Sequence, residues 1–235
     1  MTSEVLSLAI IRYFVFLFST TCHEAAHALA AKVGGDMTAF EGGQVTLNPV
    51  PHIRREPFGM VLVPLIGLFL GGALLGWASA PYDPQWQREH PKRAAWMSLA
   101  GPAANLGLVV LAAALIHFGI WMGVFLAPET VDLHTFVVST QPGAWDGAAK
   151  LLSVFFGLNL LLAVFNMLPI PPLDGYSVLA LFTSRSAAHR LEDFRQSMGN
   201  LSMVALLVGW KLFDSIFDPI FSLALQLLYP SLRYV

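Results

Sequence analysis

Five apolar stretches run along the chain, each bounded by glycine, proline or charge. The first extends from about Val5 to Lys32 and meets Gly34-Gly35-Asp36, a sequence that stops a helix. The second, Phe58 to Ala78, is interrupted by Pro64, Gly67, Gly71-Gly72 and Gly76. The third spans about Ala94 to Leu126, the fourth Ala148 to Leu168, and the fifth Leu201 to Leu228. A hydrocarbon core takes about 20 mainly apolar residues per crossing helix. The pattern therefore predicts an all-α polytopic membrane protein, a bundle of about four to five transmembrane helices. The glycine-broken second segment reads as a re-entrant or bent hairpin, a backbone tolerated at membrane depth only where protein buries it. Between the first two segments, Gly42-Gly43 followed by the alternating Gln44-Val45-Thr46-Leu47 predicts a short β-hairpin or edge strand.

Basic residues suggest an orientation. They occur at Lys32, Arg54 and Arg55, at Arg88, Lys92 and Arg93, and at Arg185, Arg190 and Arg195, but nowhere in the linker 128–147. Cytoplasmic loops carry the excess of Lys and Arg, so those three stretches are expected inside and the linker outside. The two basic stretches flanking segment two then both lie inside, and segment two cannot cross.

Composition agrees with a bilayer setting: 56% of the residues are hydrophobic and 12% charged, against roughly 25% charged in a soluble domain. The length fits a single integral-membrane domain over residues 1–235, with a catalytic core over about 5–185 and a C-terminal helix over about 200–229. Because the first apolar segment carries the histidines described next, it is not expected to be a removable leader. A net charge of -2 argues against a nucleic-acid partner. The single cysteine, Cys22, excludes an internal disulfide and reads as a buried, inert thiol.

Against this background His23-Glu24-Ala25-Ala26-His27 stands out. Two imidazoles one helical turn apart can grip a metal, and the glutamate between them can act on water. Ionisable groups at membrane depth are costly and usually functional. A catalytic zinc takes three protein ligands and keeps one open position. Asp174 is the candidate third ligand, because Pro169, Pro171 and Pro172 forbid regular helix before it and Gly175 permits close backbone approach. Glu24, about 100° round the helix from His23, is better placed as general base than as ligand. Asn166 and Asn105 are candidates for contact with substrate or a developing oxyanion. Asn105 and Asn159 read more simply as interhelical hydrogen-bonding groups. His52 and His90, in polar loops beside prolines, are expected to be mostly solvated. Lys211, Asp214 and Asp218 read as an interfacial face or a local ion pair.

His23 to His27, together with Asn166-Met167-Leu168-Pro169 and Leu173-Asp174-Gly175, resembles the site-2 protease family of intramembrane zinc metalloproteases, peptidase family M50. Gly101 to Asn105 is similar to that family's G-x-x-x-N element. Thr46-Leu47-Asn48-Pro49 with His52 resembles a pattern of its compact prokaryotic members. The resemblance implies one Zn2+ held by His23, His27 and Asp174, Glu24 as base, and Asn166 at the substrate. It also implies a transmembrane protein as substrate, a prokaryotic cell membrane, and an active site toward the cytoplasm. Many members carry a PDZ or CBS domain, and neither is expected within residues 1–235. Two other readings stay open at this stage: a non-hydrolytic metal-binding protein such as a transporter, and a catalytically silent adaptor for transmembrane segments.

Overall fold

A computed structural model describes residues 3–71, 74–199, 201–232 and 234. The long apolar stretches become helices. Helix α1 (Ser3–Gly34) ends where Gly35 turns to φ 100°, a left-handed conformation that glycine adopts without steric cost. Two short helices follow, α2 (Thr38–Glu41) and α3 (Pro49–Arg55). Asn48 caps α3 by accepting from the Val50 amide, with Pro49 in the first helical position, where its missing donor costs nothing.

The expected strand at Gln44–Leu47 is absent; residues 42–48 form turns and bends between α2 and α3. The Gln44 amide donates to Ala39 O and the Asn48 amide to the Thr46 hydroxyl, so local turn bonds replace a ladder. The two-stranded ladder lies elsewhere, between the end of the third apolar segment and the linker that follows it. There β1 (Phe125–Leu126) pairs antiparallel with β2 (Val138–Ser139).

Segment two begins with a π-helical turn over Phe58–Leu62 and continues as α4 (Val63–Gly71). The chain then returns without regular structure. The Trp77 amide donates to Gly59 O, and the Ser79 hydroxyl donates to Glu56. Residues some twenty positions apart thus meet, so the segment leaves and comes back on one side. Gly72, expected to help break it, lies outside the described residues. Gly59 and Gly76 make the close return possible, since a Cβ on either would overlap the opposing limb.

Helix α5 (Pro84–Glu89) is capped by Asp83 and leads into the long α6 (Pro91–Trp121). Helix α7 (Ala144–Asn166) follows the linker, and α8 (Asp174–Val178) follows the prolines. A 3₁₀ turn over Leu179–Phe182 leads to α9 (Arg185–Met198), and α10 (Leu201–Leu228) completes the chain. Among the described residues three helices, α1, α6 and α7, are long and apolar enough to cross a membrane. Helix α10 has the length, but Lys211, Asp214 and Asp218 interrupt it. These three side chains are exposed, and no ion pair joins them among the described residues.

Helices α1, α6 and α7 pack against one another, and α10 runs antiparallel along α7. Phe165 meets Trp210 and Phe213 at one end of that pair, and Phe136 meets Phe221 toward the other. The main apolar core lies between α6, α7, α10 and the linker, centred on Ile116, Phe136 and Phe156. Helix α9 caps the opposite end, where Arg88 pairs with Asp193 at 2.8 Å and Lys92 donates to the carbonyls of Leu181 and Thr183. The bundle therefore holds α1, α6 and the start of α8 together at one level.

Candidate metal centre

One helical turn separates His23 from His27, and their Nε2 atoms lie 3.0 Å apart. Asp174, the first residue of α8, approaches from across the bundle. Its Oδ2 stands 3.1 Å from His23 Nε2 and 3.4 Å from His27 Nε2. The turn that delivers it depends on Gly175, where a Cβ would overlap the carbonyls of Met167 and Leu168.

Both rings are held from behind. His27 Nδ1 donates to Met97 O of α6 at 2.7 Å. His23 Nδ1 donates to Asn105 Oδ1. The Asn105 amide donates in turn to Asn159 Oδ1 at 2.9 Å, and the Asn159 amide to the Ser19 hydroxyl at 2.9 Å. Carbonyl and amide oxygens only accept, so each Nδ1 carries a proton, and in the neutral ring each Nε2 keeps its lone pair.

With both rings neutral, two imidazole lone pairs and a carboxylate oxygen face one another. Such a set offers three lone pairs to one cation. Tetrahedral zinc with bonds of about 2.0–2.1 Å sets its ligands about 3.3 Å apart. The observed edges of 3.0, 3.1 and 3.4 Å match that spacing. Nitrogen and carboxylate donors suit the same ion, and hydrogen-bonded imidazoles behind them are its usual support. Gly101 completes the fit, because a Cβ there would collide with both Nε2 atoms.

Glu24 is 5% exposed, and its Oε2 has no hydrogen-bond partner among the described residues. Its carboxylate lies within 4.8 Å of the histidine nitrogens. A buried acceptor without a donor, beside a metal-type triad, is suited to receiving a proton.

The remaining sequence candidates fall out differently. Asn105 is wholly buried behind His23, with its oxygen taken by that ring and its amide bonded to Asn159. Its side chain thus bridges the His23 ring and Asn159. Asn166, the last residue of α7, is half-buried and donates to Leu162 O within its own helix, with no hydrogen bond to the triad. His52, expected in solvent, is 1% exposed, with Nε2 bonded to Thr46 O inside the α2–α3 turn. Cys22 is half-buried and outside the cluster. Sequence reasoning missed the Met97 carbonyl and the contact of Gly101 with the rings; the G-x-x-x-N element was the only signal for the latter.

The comparisons with known proteins bear on the same residues. The profile described as Peptidase family M50 matches residues 11–210, which include the histidines, the glutamate and Asp174. The chain belongs to peptidase family M50. It is 33% identical over 175 residues to YwhC of Bacillus subtilis, a match covering 73% of this chain and 69% of YwhC. It is 31% identical over 194 residues to Rip2 of Mycolicibacterium smegmatis, covering 82% of this chain and 64% of that protein. Rip2 of Mycobacterium tuberculosis H37Rv is 32% identical over 166 residues, covering 70% of this chain and 54% of its own length. These relatives carry zinc metalloprotease names. No solved structure matches the chain. As a family member with three membrane-length helices, the M50 chain is an intramembrane zinc protease. The transporter and adaptor readings are not favoured.

Proposed function

We propose that His23, His27 and Asp174 hold one Zn2+ and that Glu24 is the general base. The reaction is hydrolysis of peptide bonds in or near transmembrane segments of other membrane proteins. The observation that carries this reading is the acceptor triangle of 3.0, 3.1 and 3.4 Å beside the unpartnered Glu24 carboxylate. When bound, the ion supplies Lewis-acid chemistry, polarising a carbonyl and acidifying water. The chain supplies the rest. Met97 O and Asn105 fix the two rings, and the bundle limits bulk water. Glu24 Oε2 takes the proton from the attacking water and returns it to the departing amide nitrogen as the C–N bond breaks. We place Asn166, half-buried at the end of α7, against the substrate backbone.

The test is cleavage of a transmembrane peptide by the purified protein, with bound zinc measured in parallel. Glu24→Gln should keep about one zinc per chain and lose at least a hundredfold in kcat, the general-base contribution. Undiminished turnover would remove Glu24 from this role. The basic stretches around segment two and α9 support a site facing the cytoplasm of a prokaryotic cell membrane. A cysteine introduced at Gln85, in a Cys22→Ser background, should resist an impermeant thiol reagent applied to intact cells. Labelling from outside would invert the orientation.

A further inference from the structure

Ser19, Thr20 and Thr21 place three successive hydroxyls just ahead of the metal motif, all buried. Two have partners. The Ser19 hydroxyl accepts from Asn159, and the Thr21 hydroxyl donates to Leu17 O at 2.7 Å, the usual refuge of a helical threonine. Thr20 is 7% exposed, yet its Oγ1 has no partner among the described residues. Glu24, four positions on, has the other buried unpartnered side-chain atom of this helix among the described residues, Oε2.

At about 100° per residue, Thr20 lies about 20° from His27 and about 40° from Glu24, one turn toward the helix start. Residues at i and i+4 have Cβ atoms about 5–6 Å apart. At that spacing the two groups could meet, yet Thr20 Oγ1 and Glu24 Oε2 are each without a partner among the described residues, which leaves both free to share one bridging molecule. Buried hydroxyls and carboxylates are almost always satisfied, by protein or by ordered water. A hydroxyl donates and accepts, a carboxylate only accepts, and water complements both.

We propose that Thr20 is a positioning residue: its hydroxyl and the Glu24 carboxylate together hold the hydrolytic water. The inference rests on the reading of Glu24 as base. In this arrangement the Thr20 O–H donates to the water oxygen, and one water hydrogen points at Glu24 Oε2. The proton then transfers to Glu24 while the oxygen bonds to the substrate carbonyl carbon.

Two variants test it in the full-length, zinc-loaded protein. Thr20→Val keeps the shape and removes the hydroxyl; Thr20→Ser keeps the hydroxyl. Thr20→Val should retain zinc and fold, leave KM unchanged and lower kcat about tenfold, or about 1.4 kcal/mol. Thr20→Ser should restore kcat to within about twofold. In metal-free protein, infrared difference spectra in ordinary and 18O water should show a buried-water O–H band. That band should be present in the wild type and Thr20→Ser, and lost in Thr20→Val. Wild-type kcat in Thr20→Val, a kcat loss that only follows zinc loss, or a band unchanged in Thr20→Val would each overturn the proposal. If Thr20→Val is unaffected while Glu24→Gln is inactive, this inference fails and the base assignment stands. If Glu24→Gln is active, the underlying reading fails.

Discussion

Single atoms decide the chemistry of this bundle. The histidine pair and its glutamate were legible because five consecutive positions of one helix carry them. Asp174 was legible from the prolines and glycine around it, which force an irregular turn. The supports were not, because each depends on a contact across helices. Asn105 reads from sequence more simply as an interhelical bond than as an oxyanion donor, and nothing there points to His23 Nδ1, where its oxygen is found. Replacing it with leucine should weaken zinc binding about 10- to 100-fold, the usual cost of losing such a support. Competition with a chelator of known affinity measures this, and unchanged affinity would show that the ring is held without it. Gly101 gives a sharper outcome. Gly101→Ala puts a methyl group against both Nε2 atoms, so zinc content should fall below one-tenth per chain while the far-UV spectrum stays helical.

Elements were read well where burial alone dictates them and poorly where local bonds compete. The long helices follow from uninterrupted apolar runs, and the folded-back second segment from its proline and glycines. The alternation at 44–47 misled, since a strand needs a partner. Here Asn48 and Thr46 instead offer side-chain bonds that make turns. His52 was missed for the same reason, being drawn into the turn it helps to close. Asn48→Ala should cost about 1 kcal/mol by removing the α3 cap. Reversible unfolding in mixed micelles would show it.

Asp36, beyond the end of α1, ties this region to the start of α5. Burial alone would raise its pKa. Donation from the Thr38 hydroxyl and amide and from the Asp83 amide outweighs this and holds the carboxyl below its ordinary 3.8. A depressed folded value means the stabilisation is complete above the unfolded pKa and lost as pH falls through the folded one. The melting-temperature gap between wild type and Asp36→Asn should therefore be constant from neutrality to about pH 5 and shrink below about pH 4. A gap that widened in acid would contradict these bonds.

At the scale of the whole molecule, the bundle brings a carboxylate from beyond α7 to two imidazoles on α1, 151 and 147 positions earlier in the chain. Sequence spacing alone cannot show that meeting, although the order of the motifs suggested it. The linker, with its small ladder and the buried Phe136, closes one end, and α9 closes the other. Zinc X-ray absorption on wild type and Asp174→Ala tests the central claim most directly. The wild-type spectrum should fit two imidazoles with carboxylate or water oxygen, and Asp174→Ala should lose an oxygen scatterer or most of its zinc. Identical spectra and full zinc in both proteins would contradict the account.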